Sequence, residues 1–209
     1  DPFKLYQDND VLHGLGACDI KGAAAALLSL IESYDSEYAI LFNTDEEAGN
    51  STCIKKFLEV DHPYEGIIVA EPTNNLAVTC HRGIFTGTKK FKGQAGHSSE
   101  KRGLQDSAIH KLVHWSENAL KVAEDHAETS YENLHGLAFN LGHIYGGIKP
   151  NIIAESAEVK LGFRPLPNQD ISKLAAELGL NDSNEEEFIR GFSGPSLPAQ
   201  GLSLIHISE

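Results

Sequence analysis

The stretch of sequence that decides the fold is Tyr38-Ala-Ile-Leu-Phe-Asn-Thr-Asp-Glu-Glu47, an apolar run that ends in three acidic residues. A second run, Gly66-Ile-Ile-Val-Ala70, leads in the same way into Glu71-Pro72. Both runs are short and rich in residues that form β-strands, so they predict buried strands. Between them, Cys53-Ile-Lys-Lys-Phe-Leu58 has helical spacing. This alternation of strand and helix predicts a parallel sheet.

A helix is predicted before these strands, over Lys21–Ser33, because the segment is rich in alanine and leucine. Such a composition suits a buried helix that packs on a sheet. We therefore interpret residues 1–76 as an α/β domain whose parallel or mixed sheet is flanked by helices.

The pattern changes after residue 76, where β-forming residues and long amphipathic stretches replace the short apolar runs. The predicted order of elements is β-α-β-β-α-β, the split βαβ or ferredoxin-like arrangement. We interpret residues 77–191 as a second domain inserted into the first, to which residues 192–201 return. The elements on which this rests are strands at Val78–Gly93, Leu137–Ile144, Ser156–Phe163 and near Phe188, and helices at Leu104–Val122 and Ile171–Leu178.

Composition excludes several classes of protein. The chain has 209 residues, of which 41% are hydrophobic, so it is large enough to bury a core. Its formal net charge of −13 argues against nucleic-acid or anionic-membrane partners, and the pairs Lys55-Lys56 and Lys89-Lys90 are expected on solvated faces. No run is long enough to span a bilayer. Three scattered cysteines form no disulfide framework, which favours the cytoplasm.

Both ends of the sequence look cut. Methionine is absent, and Asp1-Pro2-Phe3 starts without a helix or strand signal of its own. At the other end, residues 202–209 resemble the translation of a sequencing adapter, so His206 is expected to have no function.

The acids that follow the predicted strands indicate a cation site, because ligands bind beyond the carboxyl ends of strands in open α/β sheets. Asp19, in a glycine-rich turn before the first helix, would join Glu47 and Glu71 there as oxygen donors for divalent ions. Glu46 would then remain free as a base. Two alternatives stay open at this point: Asp45 to Glu47 could form a solvated turn or a helix cap, and Glu71-Pro72 could be a loop.

Four motifs, in this order and spacing, resemble the M20 family of di-zinc peptidases and deacylases. They are Gly14-Leu-Gly-Ala-Cys-Asp-Ile-Lys-Gly-Ala23, Thr44-Asp-Glu-Glu47, Ala70-Glu-Pro-Thr73 and Gly93-Gln-Ala-Gly-His-Ser-Ser99. The resemblance implies a zinc-peptidase-like α/β domain with an inserted ferredoxin-like dimerisation domain, and a homodimer formed through that inserted domain.

Further segments resemble the branch of the family that deacetylates N-acetylornithine or N-acetylcitrulline in arginine biosynthesis. These are Cys18, Gly146-Gly-Ile-Lys-Pro-Asn-Ile-Ile-Ala154 with Gly162-Phe-Arg-Pro-Leu-Pro167, and Gly194-Pro-Ser-Leu-Pro198. The substrate implied is a small N-acyl amino acid. The other hypotheses that remain are a related amidohydrolase, such as a succinyl-diaminopimelate desuccinylase or a dipeptidase, and a non-catalytic dimerisation chain.

The resemblance implies a role for each matching acid. Asp19 would bridge two zinc ions, for which Co²⁺ is a possible substitute, while Glu47 would bind one ion and Glu71 the other. Glu46 would be the general base, taking a proton from the attacking water and giving it to the leaving amine.

Three residues of the second domain also match family positions. His97 resembles an oxyanion stabiliser that reaches the partner subunit's site. Asn151 and Arg164 would contact substrate, the amide at the oxyanion and the guanidinium at an α-carboxylate. Their alternatives are a turn asparagine after Pro150 and a strand-end arginine paired with a surface acid.

The family pattern also has two metal-binding histidines that would lie outside this chain. Each zinc ion would then lack one imidazole ligand, which predicts weak metal binding and little or no activity for the chain as given.

Overall fold

The computed structural model describes residues 1–34, 38–47, 51–64 and 66–199, together with the backbone of 204–206. The chain divides into two compact units. We call Asp1–Thr79, with the strand at 204–206, the first unit, and Cys80–Gln200 the second unit. Apart from that strand, the predicted adapter tail lies outside the described residues, as does the side chain of His206. None of the helices in the described ranges has the length and hydropathy needed to span a bilayer.

The first unit contains short elements joined by long loops. Strands β1 and β2 form an antiparallel hairpin, and β3 pairs in parallel with the strand at 204–206. That pair is the only parallel one among the described residues, so the predicted parallel sheet is present only in part. The elements are β1 Tyr6–Asp8, β2 Val11–His13, α1 Gly22–Ser33, α2 Thr52–Phe57 and β3 Ile67–Val69.

Two predictions for the first unit were wrong. Residues 38–43 form no strand, because no neighbouring strand pairs with them in the described structure. Of their large side chains, Tyr38, Leu41 and Phe42 remain exposed. Helix α1 forms as predicted but is not a buried helix, since Ala23 is its only buried residue.

The second unit is built on a four-stranded antiparallel sheet with the strand order β11-β4-β10-β8. Its main elements follow the predicted β-α-β-β-α-β order. They are β4 Ile84–Lys92, α4 Ala108–Asp125, β8 Ala138–Gly146, β10 Ser156–Arg164, α5 Ile171–Glu177 and β11 Glu186–Gly194. The smaller elements are β5 Gly96–His97, α3 Gly103–Asp106, β6 Ser130–Tyr131, β7 Leu134–His135 and β9 Ile152–Ile153, and the strand at Leu204–His206 is β12.

The core of the second unit lies between one face of this sheet and helices α4 and α5. Alternate side chains of β4 and β10 point into it, including Phe91 and Phe163, as the two-residue period of a strand requires. The amphipathic helix α4 covers them with Leu112 and Trp115, and the Trp115 indole donates a hydrogen bond of 2.9 Å to the carbonyl of Leu178. Burial of each large apolar side chain stabilises the unit by about 1.5–3 kcal/mol.

Lys89 contradicts the expectation of a solvated lysine pair, because its side chain is fully buried in this core. The ammonium group lies 2.7 Å from the carboxylate of Glu186 and donates a hydrogen bond of 3.1 Å to the carbonyl of Asn181. It also lies 5.7 Å from the ring of Phe91 and 6.0 Å from that of Trp115. The ion pair and the aromatic faces offset the cost of removing this charge from water.

The two edge strands of the sheet differ in charge. Strand β11 carries Glu186, Glu187 and Arg190, and its pairing with β4 is irregular between Arg190 and Ser193. Strand β8 has no charged residue. The pairing of β8 with β10 is also irregular, between Lys160 and Leu161, so the two edges differ in charge and not in bulges. Charged side chains are a usual means by which proteins protect an edge from pairing with another chain, and β8 lacks them.

Candidate active site

Asp19 lies in a tight turn that leads into α1. Gly16 has a positive φ of 74°, and a Cβ atom there would lie 3.2 Å from the carbonyl oxygen of Asp19, so glycine is needed for the chain to turn this closely. The Lys21 ammonium donates a hydrogen bond of 2.7 Å to the carbonyl of Leu15 and closes the turn. The Asp19 side chain is left exposed.

Asp45 acts as a cap for helix α2, which decides one of the alternatives left open by the sequence. Its carboxylate accepts hydrogen bonds from the backbone N–H of Thr52 at 2.6 Å and of Cys53 at 3.3 Å. The Cys53 thiol donates a further bond to it, at 2.9 Å, and lowers the pKa of Asp45. Asp45 is thereby committed to the helix terminus.

Glu46 and Glu47 follow in an exposed turn. Within the described ranges, neither carboxylate makes a hydrogen bond or an ion pair. The cap at Asp45 therefore fixes the backbone beside them while their side chains remain free.

Glu71 connects this turn with Asp19. Its side chain is half-buried. Burial raises the pKa of the Glu71 carboxyl above its ordinary value, and three nearby negative charges raise it further. The charges belong to Asp19, Glu46 and Glu47. The structure thus places the other three predicted carboxylates within electrostatic range of Glu71, inside the first unit.

The fit of these acids to a metal ion is partial. Carboxylate oxygens suit divalent cations, and a cation would relieve the repulsion felt by Glu71. Among the described residues, however, no three His, Cys, Asp or Glu side chains form a group that could hold a metal ion. The acids are near one another but not arranged as a ligand set.

The second unit brings the segments of His97 and Asn151 together. Strand β5 pairs with β9, placing His97 opposite Ile152, and the N–H of Ser98 donates a hydrogen bond of 3.1 Å to the carbonyl of Asn151. The Asn151 side chain is exposed and has no hydrogen-bond partner within the described part of the chain. It is therefore available to a ligand.

The hydrogen bonds of the His97 ring determine its tautomer. The Nδ1 atom accepts a bond of 3.3 Å from the backbone N–H of Ser99, and the Ser99 hydroxyl lies 2.8 Å from the same atom. Because a backbone N–H can only donate, Nδ1 carries no proton in the neutral ring. The proton lies on Nε2, which makes Nε2 a hydrogen-bond donor.

Two glycines of the Gly93–Ser99 motif allow this loop to pack. A Cβ atom at Gly93 would lie 2.3 Å from the carbonyl oxygen of Ala154 and 2.4 Å from that of Asp106. At Gly96, it would lie 2.1 Å from the guanidinium of Arg102. At Gly93 the backbone leaves no room for a side chain, whereas at Gly96 a side chain would displace the Arg102 guanidinium.

Arg164 ends strand β10, where it lies opposite Ala138 of the edge strand β8. Its guanidinium is exposed and makes no ion pair or hydrogen bond with any described residue. The alternative of a surface ion pair is therefore not what this structure shows.

Two residues that support the site were missed in the sequence. Glu100 and Arg102 bind the backbone of the His97 loop. A signal existed for Arg102, since its spacing to Asp106 is that of an i,i+4 ion pair at the start of a predicted helix.

Residues 79–179 match the family model described as the peptidase dimerisation domain of the M20 family. Residues 79–179 are therefore an M20 peptidase dimerisation domain, and the resemblance to the M20 family inferred from the four motifs is confirmed.

Within that family, the chain is similar to two deacetylases. It is 44% identical to the N-acetyl-L-citrulline deacetylase of Xanthomonas campestris pv. campestris over 204 residues, which cover 97% of this chain and 56% of the relative. It is 32% identical to the acetylornithine deacetylase of Pectobacterium carotovorum over 185 residues, covering 83% of this chain and 47% of that protein. The chain spans about half the length of these curated relatives.

Solved structures of two peptidases share the fold. Aminopeptidase PepT from Bacillus cereus aligns with a TM-score of 0.67 and 12% identity, covering 93% of this chain and 55% of the other. A tripeptidase from Staphylococcus aureus aligns with a TM-score of 0.62 and 17% identity, with the same coverage of 93% and 55%. At these identities the likeness concerns the fold alone.

Proposed function

We propose that this chain is part of a zinc-dependent M20 hydrolase that removes the acetyl group from an N-acetyl amino acid, N-acetylcitrulline or N-acetylornithine. The observation that carries the proposal is the repulsive group formed by Glu71 and three further carboxylates, which a cation would neutralise. The similarity to N-acetyl-L-citrulline deacetylase supports the choice of substrate class.

In this proposal, Asp19, Glu47 and Glu71 are the residues that would hold two zinc ions, for which Co²⁺ could substitute. Zinc, when bound, supplies a Lewis acid that polarises the amide carbonyl and lowers the pKa of water toward neutrality.

Glu46 is the residue proposed to move protons. Asp45 is committed to capping α2, whereas the neighbouring Glu46 carboxylate is exposed and makes no contact that would hinder this role in the described structure. Glu46 takes a proton from the attacking water and later gives it to the leaving amine, which releases acetate and a free α-amino group.

The second unit is proposed to supply the groups that hold the substrate. The Nε2–H of His97 and the Asn151 amide donate to the oxygen that becomes negative during the reaction, His97 acting in the partner subunit's site. The unpaired guanidinium of Arg164 binds the α-carboxylate through two parallel hydrogen bonds.

The uncharged edge strand β8 supports a homodimer through the second unit. Strand β8 carries no charge, and its Ile144 and Tyr145 are more than half exposed. Helix α4 presents exposed apolar side chains of its own, among them Val113 and Leu120. An uncharged edge beside apolar surface is suited to pairing with a second copy.

The dimer is tested by placing one charge on each edge of the sheet. Ile144→Lys on β8 is expected to convert the dimer to a monomer in sedimentation experiments at micromolar concentration. The matched control is Ile189→Lys on the other edge strand, β11, where the wild-type residue is also exposed. If both variants behave as the wild type does, the interface does not use β8.

The activity is tested on the protein encoded by the reading frame that contains this sequence. We expect deacetylation of N-acetylcitrulline or N-acetylornithine, with N-succinyl-diaminopimelate and a dipeptide as the competing substrates. Glu46→Gln is expected to keep the zinc content and to lower turnover by about 10²–10⁴-fold. Glu32→Gln, at an exposed position on α1, is the control that should change neither. Unchanged turnover in a folded Glu46→Gln variant would rule out this role.

A further inference from the structure

We propose that Arg102 is a positioning residue for His97, holding the Gly93–Ser99 loop in the conformation in which the imidazole keeps its proton on Nε2. The inference deepens the proposed function, on which the catalytic meaning of His97 rests. The positioning itself is a property of the second unit and can be measured without activity.

The Arg102 guanidinium contacts four acceptors at once. It lies 2.7 Å from a carboxylate oxygen of Glu100 and 2.7 Å from one of Asp106. It also donates hydrogen bonds to two carbonyls of the loop, of 2.8 Å to Ala95 and 3.3 Å to Gln94. These contacts use the planar fork of donors that only arginine has, so lysine cannot reproduce them.

Glu100 links Arg102 to the backbone of His97. While its Oε2 atom binds Arg102, its Oε1 atom accepts a hydrogen bond of 2.7 Å from the backbone N–H of His97. The backbone N–H of Glu100 in turn donates a bond of 3.0 Å to the carbonyl of His97. The carboxylate is therefore fixed between the arginine and the peptide group that carries the imidazole.

Arg102 and the loop are also bound to Asp106, at the end of helix α3. Asp106, the last residue of α3, binds Arg102 through its side chain, and its carbonyl accepts a hydrogen bond of 3.0 Å from the N–H of Gln94. The loop is thus held at both Gln94 and Ala95. Gly96 makes the arrangement possible, because a Cβ atom there would occupy the space of the guanidinium.

The contacts of Arg102 and Glu100 matter for the His97 imidazole because, in the described structure, its tautomer depends on Ser99 alone. The Ser99 N–H reaches Nδ1 across only two residues, at 3.3 Å, which is near the limit for a hydrogen bond. A loop that fluctuates by a few tenths of an ångström would lose this bond and let the proton exchange between the two ring nitrogens. Arg102 and Glu100 prevent this by restraining the backbone on both sides of the ring.

The test is nitrogen NMR of the His97 imidazole in the whole chain, at about pH 8.5, where a histidine ring is neutral. In the wild type we expect separate signals for an unprotonated Nδ1 and a protonated Nε2. In Arg102→Gln the two shifts should converge as the tautomers mix. The matched control is Arg82→Gln, which removes another guanidinium that donates to two backbone carbonyls, those of His135 and Gly136, and should leave His97 unchanged.

Folding is monitored in each variant by the emission of Trp115. If Arg102→Gln does not fold, Arg102→Lys takes its place, because it keeps the charge but not the four contacts, and partial convergence is expected. Unchanged His97 shifts in whichever folded variant is measured would overturn the proposal.

A kinetic measurement on the protein encoded by the whole reading frame separates this inference from the proposed function. Arg102→Gln is expected to lower kcat about tenfold while KM changes less than twofold, since the donor is misplaced but the substrate is still bound. A wild-type protein without deacetylase activity would contradict the proposed function, while the NMR result would still decide the role of Arg102.

Discussion

The two units of this chain use similar apolar residues in opposite ways. In the second unit, Phe91 and Phe163 are each only 1% exposed and belong to one continuous core. In the first unit, Ile67 and Ile68 of β3 are 50% and 51% exposed, although this strand is wholly apolar and β10 is not. Ala23 is the only buried apolar residue that the described part of the first unit contains.

The difference shows that an apolar run does not by itself produce burial. Strand β10 has a neighbouring strand on both sides and helix α4 against one face. Strand β3 has a single neighbour, the three-residue strand β12. Stability should therefore be concentrated in the second unit, while the first unit carries the acids of the candidate site.

The largest expected effect comes from removing a core side chain. Phe163→Ala should destabilise the second unit by about 3–5 kcal/mol, because the cavity it leaves is fully enclosed. The comparison variant, Ile68→Ala in the first unit, should cost about 1 kcal/mol or less. Trp115 is the only tryptophan of the chain and reports on the second unit, so denaturant titrations of its emission should shift for Phe163→Ala alone. Equal shifts of the unfolding midpoint for both variants would contradict the difference in burial between the two units.

A smaller effect is expected from adding a single methyl group to a crowded backbone. Gly93→Ala should destabilise the second unit by about 1–3 kcal/mol, since its Cβ would press on backbone atoms of Ala154 and Asp106. The control is Gly103→Ala in α3, where the new Cβ would lie 3.5 Å from the side chain of Ile153. That variant should be neutral or slightly more stable, by up to about 1 kcal/mol. The same Trp115 titration measures both, and a neutral Gly93→Ala would show that the loop can shift.

Removing one charge from the acidic group should affect the first unit alone. Without metal at pH 7, Glu71→Gln removes a charge whose burial, and then its repulsion by three acids, raises the pKa of Glu71, so the first unit should become more stable by less than about 1 kcal/mol. Zinc binding, measured by calorimetry, should become weaker. Hydrogen exchange of first-unit amides measures stability, with Glu32→Gln as the control. Faster exchange in metal-free Glu71→Gln would contradict the account.

The smallest effect concerns Glu100 of the second unit, because its carboxyl pKa is lowered whereas that of Glu71 is raised. The hydrogen bond from Arg102, followed by that from the His97 N–H, lowers the pKa of Glu100. Its stabilising effect is therefore present above the pKa of the unfolded chain and is lost as pH falls through the lowered value. Carboxyl NMR should show the titration of Glu100 moving toward its ordinary range in Arg102→Gln. An unmoved titration would mean that Arg102 is not the main cause.

Most of the second unit could be predicted because its hydrophobic periods are long and uninterrupted. The strand predicted at Ser156–Phe163 is β10, which ends at Arg164, and the helix predicted at Ile171–Leu178 is α5, which ends at Glu177. The prediction failed for residues 38–43, since strand formation depends on a neighbour that the run itself does not specify.

The candidate site could be predicted in part. The positions of Glu46 and Glu71 after apolar runs pointed to a shared acidic group, and the raised pKa of Glu71 agrees with this. Which acid is already engaged could not be seen, because the bonds of Asp45 to Thr52 and Cys53 depend on the tertiary path of the chain. The role of Arg102 was hidden for a similar reason, since two of its four acceptors are backbone carbonyls, which every residue has.

The uncharged edge of β8 has a consequence for how such chains would recognise each other in a cell that makes several related enzymes. Hydrogen bonds along a strand edge join peptide groups, which are identical in all proteins. They therefore contribute affinity but do not distinguish one partner from another. A sister chain with a similar edge would bind equally well through the backbone. Discrimination between two copies of this chain and a related chain must then come from side chains next to the edge, such as Leu120 of α4, which is exposed and lines a cavity with Ala138 and Phe139 of β8.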